Sequence, residues 1–536
     1  MKSRQQPGWL SEAVIYEIYP QSFQDSNGDG IGDLKGIIAR LPYIQSLGCN
    51  AIWLNPCFES PFGDAGYDVS DFRKVASRYG TNEDLVILFR EAHAMGLKVI
   101  LDLVAGHTSI EHPWFKESSK HERNAYSDYY IWTSTVWESP PEMTTVRGSA
   151  ERNAGYVPNF FHFQPALNFG FAEPDPNFPW QQPASAPGPR AVKQELLDIM
   201  KFWLELGCDG FRVDMAASLI KGKGKVKQDA MAGIWGEVRS WFDQDWPEAV
   251  LIAEWSNPQD AITAGFHVDF LIHFGQPAYN SLFRAEGFGE VVPGGKSYFA
   301  AEGKGDITIF SEYFDGAYEA TKDLGYISIP TGNHDIVPRL ANGRTPEELR
   351  VAMAFLFTMP GIPVIYQGDE IGMRHIAELP SKEGGYERTG SRTPMQWDGS
   401  AKAGFSEAGA ESLYLPLDPD PQRPDVETQE GDPESLLNFV KRLVALRKEH
   451  PALGPDGEYR TLYAEKGSYP FAFERKAGGE CFLVVVNPSA GEVSYESTYA
   501  RAKGDPLLVQ KAKLDTKGGK LTLQLAGAGY VVVKVE

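Results

Sequence analysis

LDLVAGHTS (101–109), GFRVDMAAS (210–218), LIAEWSNP (251–258) and IPTGNHD (329–335) share one layout: a short apolar run that stops at charged or polar residues. Runs of this length, rich in Val, Ile and Leu, suit strands buried on both faces of a parallel sheet. In a (β/α)8 barrel the C-terminal ends of such strands converge on one mouth, so Asp102, His107, Arg212, Asp214, Glu254, His334 and Asp335 are expected to become neighbours. Carboxylates from successive strands could then flank a single scissile bond.

Working outward, eight such runs can be picked out: VIYEIYP near Ile15, AIWLNP near Ile52, KVILDL near Ile100, GFRVD near Phe211, VLIAEW near Ile252, DFLIHF near Leu271, YISIP near Ile327 and PVIYQGDE near Ile365. Amphipathic stretches separate most of them. NEDLVILFREAHAMG, for example, carries Leu85, Leu88, Phe89 and Ala92 at helical spacing. The expected fold is an α/β TIM barrel, residues 1–108 and 170–451. An aromatic- and Pro-rich subdomain, 109–169, is inserted over the mouth after the third strand. A second insertion is read from Gly275 to about Asp323. SLLNFVKRLVALRKEH presents Leu436, Val440, Leu443 and Val444 on one face of a helix that should close the barrel. From residue 452 to 536, alternating strands such as FLVVVNPS and YVVVKVE predict a C-terminal antiparallel β domain of the sandwich kind. KGKGKVK around Lys223 reads as a solvated loop.

The 536 residues are 42% hydrophobic and 23% charged, as in a soluble globular enzyme. A formal charge of −21 repels phosphate backbones and anionic lipid, which argues against nucleic-acid and membrane partners and favours a neutral substrate. Cys49, Cys57, Cys208 and Cys481 lack metal-ligand spacing and read as reduced packing residues. With no signal-like segment at the N-terminus, a cytoplasmic location is expected.

The ordered motifs, joined by GCNAIWLNP, DAGYDVSDF and GIPVIYQGDE, resemble the α-amylase family, glycoside hydrolase family 13, over nearly the whole chain. The resemblance implies a retaining glycosidase in which Asp214 is nucleophile, Glu254 general acid/base and Asp335 transition-state stabiliser. Retention needs one ionised and one protonated carboxyl about 5 Å apart. Arg212, two residues before Asp214 on the same strand face, is expected to keep that aspartate ionised, while desolvation beside Trp255 raises Glu254. His107 and His334 would donate to the bound sugar and Tyr67 would lie beneath it. Asp64 and Arg392 resemble the pair with which exo-acting α-glucosidases cap the non-reducing glucose, Arg388 being the alternative arginine.

DSNGDGIGD alternates Asp25, Asn27 and Asp29, turns at Gly30, and adds the Ile31 carbonyl and Asp33, the pattern of a hard-cation loop for Ca²⁺, or for Mg²⁺ in its place. Three departures from the family pattern are visible. Gly106 stands where many α-amylases have an Asn that binds calcium between the barrel and the inserted subdomain, Ala166 replaces a frequent Asp, and Met215 matches neither the Val associated with α-1,6 activity nor the Ala or Thr associated with α-1,4. The expected reaction is release of glucose from short α-linked oligosaccharides. A glucosyl-transferring or isomerising relative, of trehalose synthase or sucrose isomerase type, is the alternative. A non-catalytic member is disfavoured by the intact acids.

Overall fold

The computed structural model describes residues 2–287, 292 and 294–536. Eight strands form one sheet: β1 (Ile15–Ile18), β2 (Ala51–Leu54), β3 (Lys98–Leu103), β4 (Gly210–Val213), β5 (Val250–Ala253), β6 (Val268–Phe270), β7 (Tyr326–Ser328) and β8 (Val364–Tyr366). Their order is β8-β1-β2-β3-β4-β5-β6-β7, every pairing parallel. Across the remaining gap, Thr331 N donates to the Val364 carbonyl (3.0 Å) and Ile362 N to the Ile327 carbonyl (3.1 Å), so the sheet comes round as a barrel. Strands β1, β2, β4 and β5 are buried at all four positions. That explains the unbroken apolar sequence of β2 and β5; β1 and β4 each carry one buried charge, Glu17 and Arg212.

The helices wrapped around this ring are α1 (Leu34–Ser46), α2 (Asn82–Ala94), α3 (Pro187–Glu205), α4 (Gly224–Asp245), α5 (Pro258–Ala264), α6 (Thr308–Thr321), α7 (Pro346–Thr358) and α8 (Leu436–Glu449). In α2 a capping box between Thr81 and Asp84 starts the helix, and Leu85, Leu88, Phe89 and Ala92 are the buried face. On α8 the buried face is Leu437, Phe439, Val440, Leu443, Val444 and Arg447, with Leu436 at its margin.

Three local expectations need correction. The sixth strand lies at Val268–Phe270, ahead of Leu271, because the buried Asp269 carboxylate accepts from Trp255 N (3.0 Å) and Asn257 N (2.9 Å) at the strand end. The stretch read as a second insertion contains α6, with Phe310, Phe314, Ala317 and Thr321 buried along it. KGKGKVK is only in part the solvated loop expected: residues 222–226 are exposed, but α4 begins at Gly224. Lys221 turns inward to donate to Asn159 Oδ1 (3.0 Å) and the Ser218 carbonyl (2.7 Å), and burial pushes its pKa down to about 7.

Between β3 and α3 the chain makes one short helix, Pro113–Ser118, and a scatter of isolated bridges such as Trp132 with Tyr156. The C-terminal strands are β9 (Glu458–Tyr463), β10 (Phe471–Ala477), β11 (Glu480–Asn487), β12 (Val493–Glu496), β13 (Leu508–Lys517) and β14 (Lys520–Lys534). They form one antiparallel sheet in the order β9-β10-β11-β14-β12, with β13 also paired to β14. Alternation along β11 serves two cores: Phe482, Val484 and Val486 join the barrel core, whereas Leu483 and Val485 face a smaller core of the sheet itself. Among the described residues no helix is long and apolar enough to cross a membrane.

Candidate active site

β4 ends in Phe211-Arg212-Val213 and delivers Asp214, whose backbone N donates to the Leu103 carbonyl of β3 (3.0 Å). Met215 then turns left-handed (φ 44°), which aims its N–H at Glu254 Oε2 (3.0 Å). Glu254 follows β5 in register, its own N bonded to the Val213 carbonyl (3.1 Å). One buried guanidinium links the acids. Arg212 Nη1 lies 2.9 Å from Asp102 Oδ1 and 3.1 Å from Asp214 Oδ1, and Nη2 lies 2.5 Å from Glu254 Oε1.

Asp335 comes from the loop after β7 and is gripped on both oxygens. Oδ1 receives Arg388 Nη1 (2.7 Å) and Arg392 Nη2 (2.8 Å), and Oδ2 lies 3.3 Å from His334 Nε2. Burial works against its ionisation, but His334 and the two arginines outweigh it and hold Asp335 well below the usual carboxylate range. His334, buried between Glu17 and Asp335, is held up to about 9 against the pull of desolvation. His107 is the opposite case. Burial pushes it down to about 3, and its ring nitrogens face the Tyr67 carbonyl (3.1 Å) and the Asn159 amide (3.1 Å).

For the Asp214–Glu254 pair, burial moves both carboxyls upward. The charge of Glu254 adds to the rise of Asp214, and Arg212 opposes it in each. The expectation that Arg212 alone would keep Asp214 low is therefore corrected: desolvation and the second carboxylate outweigh it. The two groups titrate together. Shared retention of a proton is what a nucleophile and acid pair needs.

The pairing of Asp64 is also corrected. Its Oδ1 is 3.7 Å from Arg388 Nη2, while Arg392 is spent on Asp335 and on the His334 carbonyl (2.9 Å). Arg388 lines the cavity with Asp64; Arg392 is almost fully buried behind it. Burial raises Asp64 to about 6, opposed by Gln164, whose amide donates to Oδ2 (2.8 Å), and by Arg388. The network joins six carboxyl groups (Glu17, Asp64, Asp102, Asp214, Glu254, Asp335) to four basic side chains (Arg212, His334, Arg388, Arg392).

Of these groups Asp64, Asp214, Glu254, Asp335 and Arg388 line a cavity of about 710 Å³; Glu17, Asp102, Arg212, His334 and Arg392 are buried behind its wall, so His334, expected as a donor to the sugar, lies one layer back. Tyr67, His107, Asp214, Glu254 and Asp335 share its wall with Met215, Trp255 and His273, and its rim carries the exposed aromatic residues Phe160, Phe274 and Tyr386. Sequence reasoning missed Glu17, Gln164, Asn159 and Lys227, the last of which lines the cavity. Only Glu17 had a signal: a lone charge in the fully apolar run of β1. Gly106, where a metal-binding Asn was sought, is packed so closely that a Cβ would sit 2.7 Å from Ser218 Oγ and 2.8 Å from Asn159 Nδ2.

The loop of Asp25, Asn27, Asp29, Ile31 and Asp33 offers oxygen donors only. Its carboxylates fold onto the loop's own amides: Asp25 Oδ1 accepts from Gly28 N (2.7 Å), Asp25 Oδ2 from Gly30 N (2.8 Å) and Asp29 Oδ1 from Ile31 N (2.9 Å). Asp33 caps α1 through Gly36 N (2.7 Å). Gly30, at φ 91°, fits where a Cβ would lie 1.8 Å from the Ser412 carbonyl, so the loop is a tight cradle. Among the described residues no group of three or more His, Cys, Asp or Glu side chains is gathered as a metal centre would gather them. The donor chemistry, carboxylates plus an amide and a carbonyl oxygen, nonetheless suits a hard cation.

The Alpha amylase catalytic-domain profile matches residues 17–456. This chain belongs to the α-amylase family. It is 32% identical to an oligo-1,6-glucosidase of Parageobacillus thermoglucosidasius, covering 89% of this chain and 90% of the relative. It is 33% identical to the trehalose synthase/amylase of Mycobacterium tuberculosis (strain ATCC 25618 / H37Rv), over 88% of this chain and 80% of that one. The fold superposes on the trehalulose synthase of Pseudomonas mesoacidophila MX-45 with a TM-score of 0.80 at 26% identity, covering 98% of this chain and 99% of the other. The protein is thus an α-amylase-family enzyme, and its relatives include an oligo-1,6-glucosidase, a trehalose synthase/amylase and a trehalulose synthase.

Proposed function

We propose that this enzyme is an exo-acting, retaining α-glucosidase that removes glucose from the non-reducing end of short α-linked oligosaccharides. The observation that carries the reading is the junction of Asp64, Gln164, Arg388 and Asp335 at the cavity wall. A sugar chain extending past the terminal glucose would have to break it. In this mechanism Asp214 attacks the anomeric carbon as Glu254 passes its proton to the leaving oxygen. The anomeric C–O bond to the leaving group breaks as the bond to Asp214 forms. Water then enters, gives a proton to Glu254 and displaces Asp214. Asp335, ionised by its three cations, and Arg212 fix the charge pattern that the oxocarbenium-like state meets.

Likeness to trehalose and trehalulose synthases supports a second reading in which a sugar hydroxyl replaces the water. The exposed rim of Phe160, Phe274 and Tyr386 suits a retained leaving sugar. Maltose, isomaltose, sucrose, trehalose and nigerose, each incubated with enzyme and resolved by chromatography, separate the two: net glucose release supports hydrolysis, and isomeric disaccharide as main product overturns it. Early release of maltotriose or longer products from an end-blocked maltooligosaccharide would overturn the exo reading. A structural Ca²⁺, or Mg²⁺ in its place, held by Asp25, Asn27, Asp29, Asp33 and the Ile31 carbonyl, is part of the proposal. It would tie down the loop, with no part in bond cleavage.

A further inference from the structure

Glu17 sits in the middle of β1 with no exposed surface, and a carboxylate so placed must be matched by donors. One of its oxygens takes three. Oε1 lies 2.9 Å from His334 Nδ1 and 3.4 Å from the His334 backbone N, and the Asn55 amide, oriented to satisfy its own neighbours, donates to it from 3.2 Å. Among the described residues its other oxygen, Oε2, has no partner, and burial raises the Glu17 carboxyl; His334, Arg212 and the Asn55 amide oppose that rise, and the donors gathered on Oε1 favour the ionised form.

The other side of the imidazole fixes a second proton. His334 Nε2 is 2.7 Å from the Tyr67 hydroxyl and 3.3 Å from Asp335 Oδ2. Tyr67 has a single hydroxyl hydrogen, directed to Asp102 Oδ2 at 3.0 Å. Its oxygen can therefore only accept from Nε2. Both ring nitrogens then carry hydrogen, and the ring is an imidazolium. It lies parallel to Tyr67 on one side (centroids 5.3 Å) and Tyr19 on the other (6.1 Å), with the edge of Trp53 alongside. The facing charges are Glu17 from β1 and Asp335 from its own loop, with Asp102 beyond Tyr67. Against them stand Arg212 beside Trp53 and Tyr67, and Arg392 on the His334 carbonyl.

We propose that Glu17 is a positioning residue that holds His334 doubly protonated behind the cavity wall, so that Nε2–H supports the Tyr67 hydroxyl and its charge faces Asp335, the two groups that line the cavity. The inference rests on the reading of Asp335 and Tyr67 as sugar-contacting groups and is independent of the leaving group. Without the Glu17 charge, the proton on Nε2 is the one lost. Asp335 then forfeits one of its three cations, and Tyr67 loses the donor that keeps its hydroxyl on Asp102.

The test is kcat/KM against pH for wild type, Glu17→Gln and Glu17→Asp on a dinitrophenyl α-glucoside, whose leaving group needs no proton and so keeps Glu254 out of the alkaline limb. Wild type should lose activity near pH 9, where His334 titrates. In Glu17→Gln that limb should fall by about two pH units or more, with at least a roughly tenfold loss at about pH 8, and Glu17→Asp should recover part of it. Nitrogen-15 NMR of labelled histidine, with His334 assigned through His334→Gln, reads the same charge without turnover. Both ring nitrogens should be protonated at about pH 8 in wild type and only one in Glu17→Gln. A neutral His334 in wild type, or an unmoved alkaline limb in a natively folded Glu17→Gln, overturns the proposal. Should Glu17→Gln fail to fold, the wild-type spectrum and Glu17→Asp still decide it. Should the protein cleave no glucoside, the function above fails while the NMR result still judges Glu17.

Discussion

At the scale of single residues, Asp214 and Glu254 share a guanidinium but should fail differently. Asp214→Asn keeps the volume and loses the nucleophile, so kcat on an aryl α-glucoside should drop by several orders of magnitude with native circular dichroism. Retention of a tenth of the activity would remove Asp214 from its role. Glu254→Gln should slow poor leaving groups far more than activated ones, with azide restoring turnover on the latter; equal losses on both without rescue would mark a structural glutamate. The placement of Asp214, Glu254 and Asp335 at one mouth was legible because each ends an apolar run. Arg388 was not chosen over Arg392, since the stretch before SRTPMQWD has no periodicity to say which arginine points inward. The upward shift of Asp214 was hidden for another reason. Arg212 is two residues away in sequence, but the burial and the second carboxylate that outweigh it exist only in the folded barrel.

Among the elements, the Asp25–Asp33 loop is the one whose removal can be tested without touching catalytic groups. It fastens the β1–α1 connection to the segment before α8: Asp25 N donates to the Phe405 carbonyl (2.9 Å), Tyr414 N to the Gly30 carbonyl (2.6 Å) and Ser406 Oγ to Asp25 Oδ2 (2.5 Å). Chelation of divalent cations should lower Tm, because a ligand held only by the folded state stabilises it, and activity at low temperature should survive. An unchanged melting curve, with no metal found by elemental analysis of the untreated protein, would dispose of the site. Strand positions were readable wherever four apolar residues ran together. They slipped at β6, where a polar Asp269 is the buried strand residue, and α6 went unseen because its apolar residues are diluted by Glu312, Asp315 and Glu319.

For the whole molecule, the decisive fact is that barrel and C-terminal sheet share a core. Phe355 of α7 lies 6.1 Å from Phe471 and 6.4 Å from Phe473 between ring centroids, and the buried Arg475 of β10 donates to the Gly454 carbonyl (2.6 Å) and reaches the Thr358 carbonyl at the end of α7. Calorimetry should therefore give one unfolding transition, and two resolved transitions would contradict the shared core. Acid should undo it in a defined window. His107 and His112 are pushed by burial to about 3, below the ordinary 6.5. Their unfolded forms take up protons first, so the stability they contribute is full above about pH 6.5 and is lost as pH falls toward 3. Asn in place of His112 can still cap the Pro113–Ser118 helix but does not titrate, so Tm of His112→Asn should fall less steeply between about pH 6.5 and 4; a slope equal to wild type would refute the assignment. The shared core also bears on descent. A sheet whose inner face is the barrel's own packing cannot be exchanged between relatives as a cassette. A recombination joint near residue 451 would set Phe355 against foreign side chains, so substitutions on α7 and on β10 and β11 must drift in step.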